Sequence, residues 1–304
     1  MSRRLALLAL LLLAAACRPR AASCFAGADP FDFLFMESGA RQSALGGAFT
    51  AGRNDANVLA YNPAGLASLD RNHASFMHTS QFQSVQRERI AAALRSGFGL
   101  SFDRLTFGEI GRTTLSNPSG AGTSGFQPAA TVIAAGIGIT VFDGLTTGAA
   151  IKYIRQTIDD TAGAAWAGDL GLQAVVMEEP GLVLGLAVQH IGTKVRFQSQ
   201  SEPLPLNVRG GAALSLPVFG VPVGVSLDLN KASERELVIN AGAAATFYER
   251  FVVRFGQNTR NDAGPGFSFG FGLILKDYGF DYALVPCGEL GASHQISLGM
   301  RWGQ

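Results

Sequence analysis

Beyond Met1–Ser23 this sequence has no apolar run near the roughly 18 uncharged residues that a membrane-spanning helix requires. It is also short of charge: only 15% of its 304 residues are Asp, Glu, Lys or Arg, and the formal net charge is +1. A nucleic-acid-binding protein normally declares itself by a strong basic patch, so no nucleic-acid partner is expected. Cysteine and histidine are scarce as well, at three and four residues. There is no Cys-x-x-Cys spacing and no Cys/His cluster, so no metal site is indicated. His73, His78, His190 and His294 are scattered, and the odd spacing of His73 and His78 puts them on opposite faces of a strand. No nucleophile, base and orienting group cluster in sequence. We therefore expect a non-enzymatic protein without a cofactor.

What the chain does contain is glycine and phenylalanine, 38 and 21 residues, with a positive mean hydropathy. That composition is too apolar and too glycine-rich for a typical soluble domain. High apolarity without a helical span points to apolar residues that alternate along strands.

Met1–Ser23 has the form of a secretory signal. Arg3 and Arg4 precede a short apolar core, Leu5 to Ala16, and small residues follow. Cleavage after Ala16 and after Ser23 are both compatible with the small residues there. Cys17 stands as in a lipoprotein box, although Ala14 occupies the place where such boxes usually carry Leu. Cleavage after Ser23 removes four arginines and takes the net charge from +1 to −3. In an exported protein Cys24 and Cys287 have the option of a disulfide, but no motif surrounds either.

Residues Gly39 to Leu69 are rich in Gly, Ala and Asn and precede every strand. Ser43, Leu45, Ala48 and Phe49 fit one side of a short helix. Gly46, Gly47 and Gly52 allow backbone to pack on backbone. Asn62-Pro63-Ala64-Gly65 reads as a helix start, with Asn as cap and Pro at the first position. This piece is either a plug against whatever the strands build or an ordinary helix lying on a soluble domain.

From Arg71 onward the chain alternates with period two. Val221, Val223, Val225, Leu227 and Leu229 share one face. So do Phe267, Phe269, Phe271, Leu273 and Leu275, and so do Ile296, Leu298, Met300 and Trp302. The opposite faces are small or polar. In a soluble sandwich the greasy face is core, whereas in a membrane barrel it meets lipid. The strand segments number about fourteen, the even count of single-chain bacterial barrels. Connections decide between the two readings. Every second one is tight, as at Ser96, Phe142-Asp143-Gly144, Glu179-Pro180-Gly181, Tyr248-Glu249 and Asp277. The others are mostly longer and polar, notably Gly108 to Phe126 and Thr193 to Pro205. Such alternation is the signature of a barrel with turns in the periplasm and loops outside. We expect an all-β, transmembrane antiparallel barrel, with residues 24–70 as an N-terminal plug and residues 71–304 as the wall. Closure leaves no unpaired strand edge and satisfies the backbone groups that lipid cannot.

Asp228, Arg254, Lys276, Asp281 and Arg301 alternate away from the apolar face and are expected in the lumen. On the lipid face near the midplane an Arg or Lys would cost roughly 2–4 kcal/mol. There they are positioned to pair with polar groups of the plug. Asn54, Asp55 and Asn57 offer oxygen atoms to a cation or, more simply, to caps and turns, and Asn62 caps the helix after it. Tyr278, Tyr282 and Trp302 suit an interfacial belt.

Several stretches in order resemble the PorV/PorQ family of outer-membrane proteins, itself similar to FadL-type fatty-acid transporters. They are Leu45-Gly46-Gly47-Ala48-Phe49, Asn54-Asp55-Ala56-Asn57, Tyr61-Asn62-Pro63-Ala64-Gly65-Leu66, Pro203-Leu204-Pro205-Leu206, Asp228-Leu229-Asn230-Lys231 and Asp281-Tyr282-Ala283. The resemblance implies a fourteen-stranded outer-membrane barrel of a Gram-negative-type bacterium. For PorV-like members it implies a part in type IX secretion, with cargo proteins and secretion machinery as partners. For FadL-like members it implies passage of hydrophobic small molecules such as long-chain fatty acids. Outer-membrane lipid is a partner in either case.

Overall fold

A computed structural model describes residues 31–304 apart from 82–83, 114, 198–199, 234, 261–263 and 304. The expected signal segment, Cys17 and Cys24 lie outside the described residues.

The strands, in chain order, are β1 (Asn72–Ser80), β2 (Gln86–Ala93), β3 (Phe98–Thr106), β4 (Ala129–Phe142), β5 (Leu145–Ile158), β6 (Thr161–Met177), β7 (Gly181–Gly192), β8 (Val195–Phe197), β9 (Gln200–Glu202), β10 (Asn207–Val218), β11 (Val221–Ala232), β12 (Leu237–Phe247), β13 (Phe251–Asn258), β14 (Phe267–Leu275), β15 (Tyr278–Pro286) and β16 (Ala292–Trp302). All but β8 and β9 join in one closed antiparallel barrel of fourteen strands. Closure is made by β1 against β16, in register from Asn72 opposite Trp302 to Ser80 opposite His294. The barrel has a turn end, which also carries the start of β1 and the end of β16, and a loop end.

Period two is visible in burial. Along β3, Phe98, Leu100 and Phe102 are exposed while Gly99, Ser101 and Asp103 are buried. Along β16, Ile296, Leu298 and Met300 are exposed while Ser293, Gln295 and Ser297 are buried. The exposed set is large and aliphatic or aromatic, which is stable only against hydrocarbon; the inward set is small, polar or charged. The core of this molecule is therefore its lumen.

Three features depart from the expected pattern. Between β6 and β7 the register shifts, so that Asp169 of β6 faces two residues of β7, Gln189 and His190, with no direct partner there. His190 there has φ 63°, and Gln189 and His190 are both buried, so two successive side chains point inward. This is a bulge, one extra residue that re-aims side chains. The expected open loop Thr193 to Pro205 contains the small hairpin β8–β9, which folds against β6. Lys276, expected on a strand, sits in the tight turn before β15 with φ 56°.

Inside the barrel lie a 3₁₀ turn (Asp32–Phe35), α1 (Ala40–Ala44), α2 (Val58–Tyr61) and a second 3₁₀ turn (Pro63–Ser68). Asn62 caps the second turn, accepting the Ala64 amide at 3.1 Å, and Pro63 takes the first position, where its missing N–H is not needed. The inner helices are short, because the segment is shaped by the wall rather than by helix propensity.

Candidate functional site

The lumen is filled from the turn half upward by residues 38–69. Asp228 of β11 accepts the Phe49 and Thr50 amides at 2.9 and 2.8 Å and the Thr50 hydroxyl at 2.6 Å, and pairs with Arg209 at 3.2 Å. Gln295 of β16 accepts the Ser43 hydroxyl at 2.6 Å. Gln173 of β6 donates to the Thr50 and Gly52 carbonyls at 3.1 and 2.9 Å, and Gln189 of β7 to Ala60 at 2.9 Å. Asn240 of β12 donates to the Gly46 carbonyl. Most of the inner segment's polar groups are thereby satisfied by the wall, as burial away from water demands, Gln42 Oε1 being an exception.

Close approach is made possible by inward-facing glycine. A side-chain carbon at Gly148 would overlap Pro63 and Ala64, and one at Gly256 would overlap Leu45 and Gly46. The same holds on β3, β4, β6, β7, β10, β12 and β14, each of which turns a glycine toward this segment. The high glycine content of the chain thus has a location: a ring around the plug.

Each of the eight expected lumen residues has a definite place. Asn54, with φ 54°, accepts the Asp70 amide at 3.0 Å as a turn bond. Asp55 is buried, accepts Gln42 at 3.0 Å and the Asn57 amide at 2.9 Å, and lies 3.5 Å from Arg41. Asn57 accepts Arg89 Nε at 3.0 Å, and Asn62 donates to the Thr50 and Leu172 carbonyls at 2.9 and 3.0 Å. Asp228 holds the inner segment. Arg254 and Asp281 pair with each other across two strands at 2.7 Å instead of with the plug. Arg301 faces the lumen at the turn end, apart from Asp228 and Asn62.

Residues 31–37 are attached differently and lie at the loop end. Phe31 stacks on Phe197 of the hairpin at 6.2 Å. Around them gather Ile154, Ala165, Ala167, Val195 and Leu204, with Phe33, Leu34 and Val132 at the margin. Phe35 lies under two guanidinium groups, Arg235 at 4.5 Å and Arg260 at 3.9 Å, and meets the His190 ring edge-on at 5.7 Å. Burial, reinforced by the charge of Arg235, lowers the Arg260 pKa to about 10. Arg235 also pairs with Asp32 at 2.5 Å.

Behind this strap the wall carries charge. Asp103 takes both Arg87, at 2.6 Å, and Arg89. Arg87 also donates to the Met36 and Glu37 carbonyls at 3.0 and 2.9 Å, marking where the strap ends. At the bulge, Lys152 pairs with Asp169 at 2.7 Å and with His190 Nδ1 at 2.9 Å, while Asp169 accepts the His190 amide at 2.9 Å. Between strap and wall is a cavity of about 60 Å³, lined by Phe33, Leu34, Phe35 and Met36 on one side and Arg87, Lys152, His190 and Arg209 on the other. That is room for about two water molecules and for no organic ligand.

The strap, the hairpin and the bulge escape sequence reasoning, which placed no site residue among them. The signal available was Phe31-Asp32-Phe33-Leu34-Phe35-Met36, a greasy run ahead of a polar, glycine-rich one.

The model of the family described as Uncharacterised protein family (UPF0164) matches residues 14–207. Two UPF0164 proteins of Treponema pallidum (strain Nichols) align with the chain. One is 31% identical over 183 residues, which are 56% of this chain and 46% of the relative. The other is 26% identical over 301 residues, 91% of this chain and 70% of the relative. The chain thus spans about half the length of the first. Among solved structures, the Pseudomonas putida toluene transporter TodX superposes with a TM-score of 0.57 at 13% identity, over 87% of this chain and 97% of TodX. The CymD monoaromatic hydrocarbon channel gives 0.57 at 12%, over 88% and 98%. At such identities the likeness is one of fold. None of these matches supports the PorV/PorQ assignment or a type IX role.

Proposed function

The chain belongs to the UPF0164 family, and we propose that it is an outer-membrane channel admitting hydrophobic small molecules from the loop side, gated by residues 31–37. The loop end then faces outward and the turn end the periplasm. One observation carries this reading: the mouth of the lumen has an apolar side, set beside the charged groups behind the strap. Val132, Ile154, Ala165 and Ala167 turn inward there and meet Phe31, Phe33 and Phe197, whereas the interior of a water-filled porin is polar. An apolar mouth discriminates for apolar solutes, because a polar one would lose its hydration without recovering hydrogen bonds. TodX, a toluene transporter, and CymD, a monoaromatic hydrocarbon channel, have this fold, which is in keeping with it. The 60 Å³ cavity requires that the strap move before anything larger than water enters.

A role in secretion would use the loops Gly108 to Phe126 and Thr193 to Pro205 as outward docking surfaces. The second of these folds inward as the β8–β9 hairpin and covers the mouth, with Val195 buried. Transport is the better-supported reading.

The test is uptake of radiolabelled toluene and of a radiolabelled long-chain fatty acid by cells carrying the protein in the outer membrane. The expected result is uptake above an empty-vector control, increased when Phe31 and Phe33 are both replaced by Ala. Uptake equal to the control for both solutes and both forms would sink the proposal.

A further inference from the structure

The lumen holds a second hollow, at the turn end, on the far side of residues 38–69 from the strap. Its volume is about 600 Å³, within the roughly 300–1,000 Å³ of small-molecule sites. Arg41 and Leu45 of the inner segment line it, together with Arg301 of β16, Lys276 of the turn before β15, Ala244 of β12 and Val252 of β13.

The charges of this hollow do not balance. Arg254 is matched by Asp281 at 2.7 Å, Arg41 by Asp55 at 3.5 Å, and Asp277 by Arg71 at 2.7 Å. That leaves Arg301 and Lys276, for which no carboxylate among the described residues lies within ion-pair distance: two of the four lining cations are unmatched, while all three lining carboxylates are taken, Asp277 by Arg71 outside the lining. His73 adds no charge, since its Nδ1 accepts the Ala56 amide at 2.7 Å and so carries no proton. The same hollow also presents the apolar Leu45, Ala244 and Val252, the last two beside the matched Arg254. Unmatched cations and apolar side chains lining one space of this size are complementary to a molecule with one anionic end and one apolar end.

We propose that the turn-end vestibule is a binding site for a small amphiphilic organic anion, its acid group against Arg301 and Lys276 and its apolar part against Leu45, Ala244 and Val252. Residues 38–69 separate it from the loop-end cavity, so the ligand enters from the turn end. The site stands whether or not the strap gates hydrocarbon entry. A lipid-derived aliphatic acid and a soluble aromatic acid share the required chemistry.

The experiment is isothermal titration of the full-length protein in lipid nanodiscs, with 1-naphthyl phosphate and decanoate as the two organic anions. Inorganic phosphate and 1-naphthylmethylammonium are the controls. We expect one site per barrel for at least one organic anion, about tenfold or more tighter than for either control. Decanoate binding alone identifies the lipid-derived source, and naphthyl phosphate alone the soluble one. Binding should weaken about tenfold in Arg301→Gln and in Lys276→Gln, each removing one charge-assisted contact, and stay unchanged in Lys194→Gln at the loop end. Lys276 is in an exposed turn, so its replacement leaves the barrel assembled even if the Arg301 variant does not. Absence of binding, equal affinity for inorganic phosphate or the ammonium probe, or affinity unaffected by the Lys276 replacement would overturn the proposal.

Discussion

Residues 31–37 and residues 38–69 share one lumen and are held there by different forces. The longer stretch is bound by buried polar contacts. Gln42, Ser43, Thr50, Asp55, Asn57 and Asn62 are all at most 5% exposed, and eight wall strands (β1, β2, β6, β7, β10, β11, β12 and β16) share hydrogen bonds with it. Its backbone lies where a wall side chain would otherwise be. Only the end of the strap shares that interlock, where Met36 and Glu37 accept from Arg87, and Glu37 also from Tyr61 and Asn258. Residues 31–35 are held by ring stacking of the buried Phe31, two guanidinium contacts over Phe35 and an ion pair whose Asp32 side chain is 44% exposed. Buried polar networks rigidify, because every escape leaves a group unsatisfied in a low-dielectric interior. Surface ion pairs and cation–π contacts let go for about 1 kcal/mol each. The difference teaches where motion is to be expected: the plug is a fixed partition, and the strap is the part able to move.

The comparison is broken most severely at the glycine ring. Gly256→Leu puts a side chain into the backbone of Leu45 and Gly46, and overpacking against backbone has no cheap relief. We expect loss of the heat-modifiable folded band in gel shift, while Gly210→Ala, where nothing lies within 4 Å, should be silent. Next comes Asp228→Leu, which strands the Phe49 and Thr50 amides and Arg209. Removing one member of a buried pair costs about 3–5 kcal/mol, read as a lowered melting temperature and protease cleavage within residues 45–55. Arg254→Leu should by contrast leave the plug protected, since Arg254 is bound to Asp281.

Smaller effects sharpen the other side. Replacing Arg235 and Arg260 together by Gln removes both contacts over Phe35, about 1–3 kcal/mol in sum. We expect faster solute uptake with an unchanged barrel melting temperature. Least of all, Asp32→Asn should shift uptake slightly, by about 0.5–1 kcal/mol at low salt and less at high salt.

Much of this fold was legible in sequence because a lipid-facing strand must alternate. Val221 to Leu229 and Phe267 to Leu275 show that period without interruption, and the tight turns at Asp143-Gly144 and Tyr248-Glu249 set the order of short and long connections. The Asn62-Pro63 start was readable because cap and proline chemistry is local. The bulge was not, since Leu182-Val-Leu-Gly-Leu-Ala-Val-Gln-His reads as one smooth strand and only the register shift turns both Gln189 and His190 inward. The hairpin β8–β9 has three residues a side, too few for any period to show. Alternation puts Arg254, Asp281 and Arg301 on the faces opposite the apolar ones, but which carboxylate meets which guanidinium depends on strand neighbours, and Arg301 meets none among the described residues. The glycine ring was present only as a composition, because the partner that each glycine makes room for is more than thirty residues away in the chain.

The most direct measurement of the central claim is amide hydrogen exchange of the folded protein in nanodiscs, resolved over residues 31–69. Amides of residues 31–37 should exchange early while those of 40–66 stay protected until the barrel itself opens. Equal protection across the two stretches, or earlier exchange in the second, would contradict it.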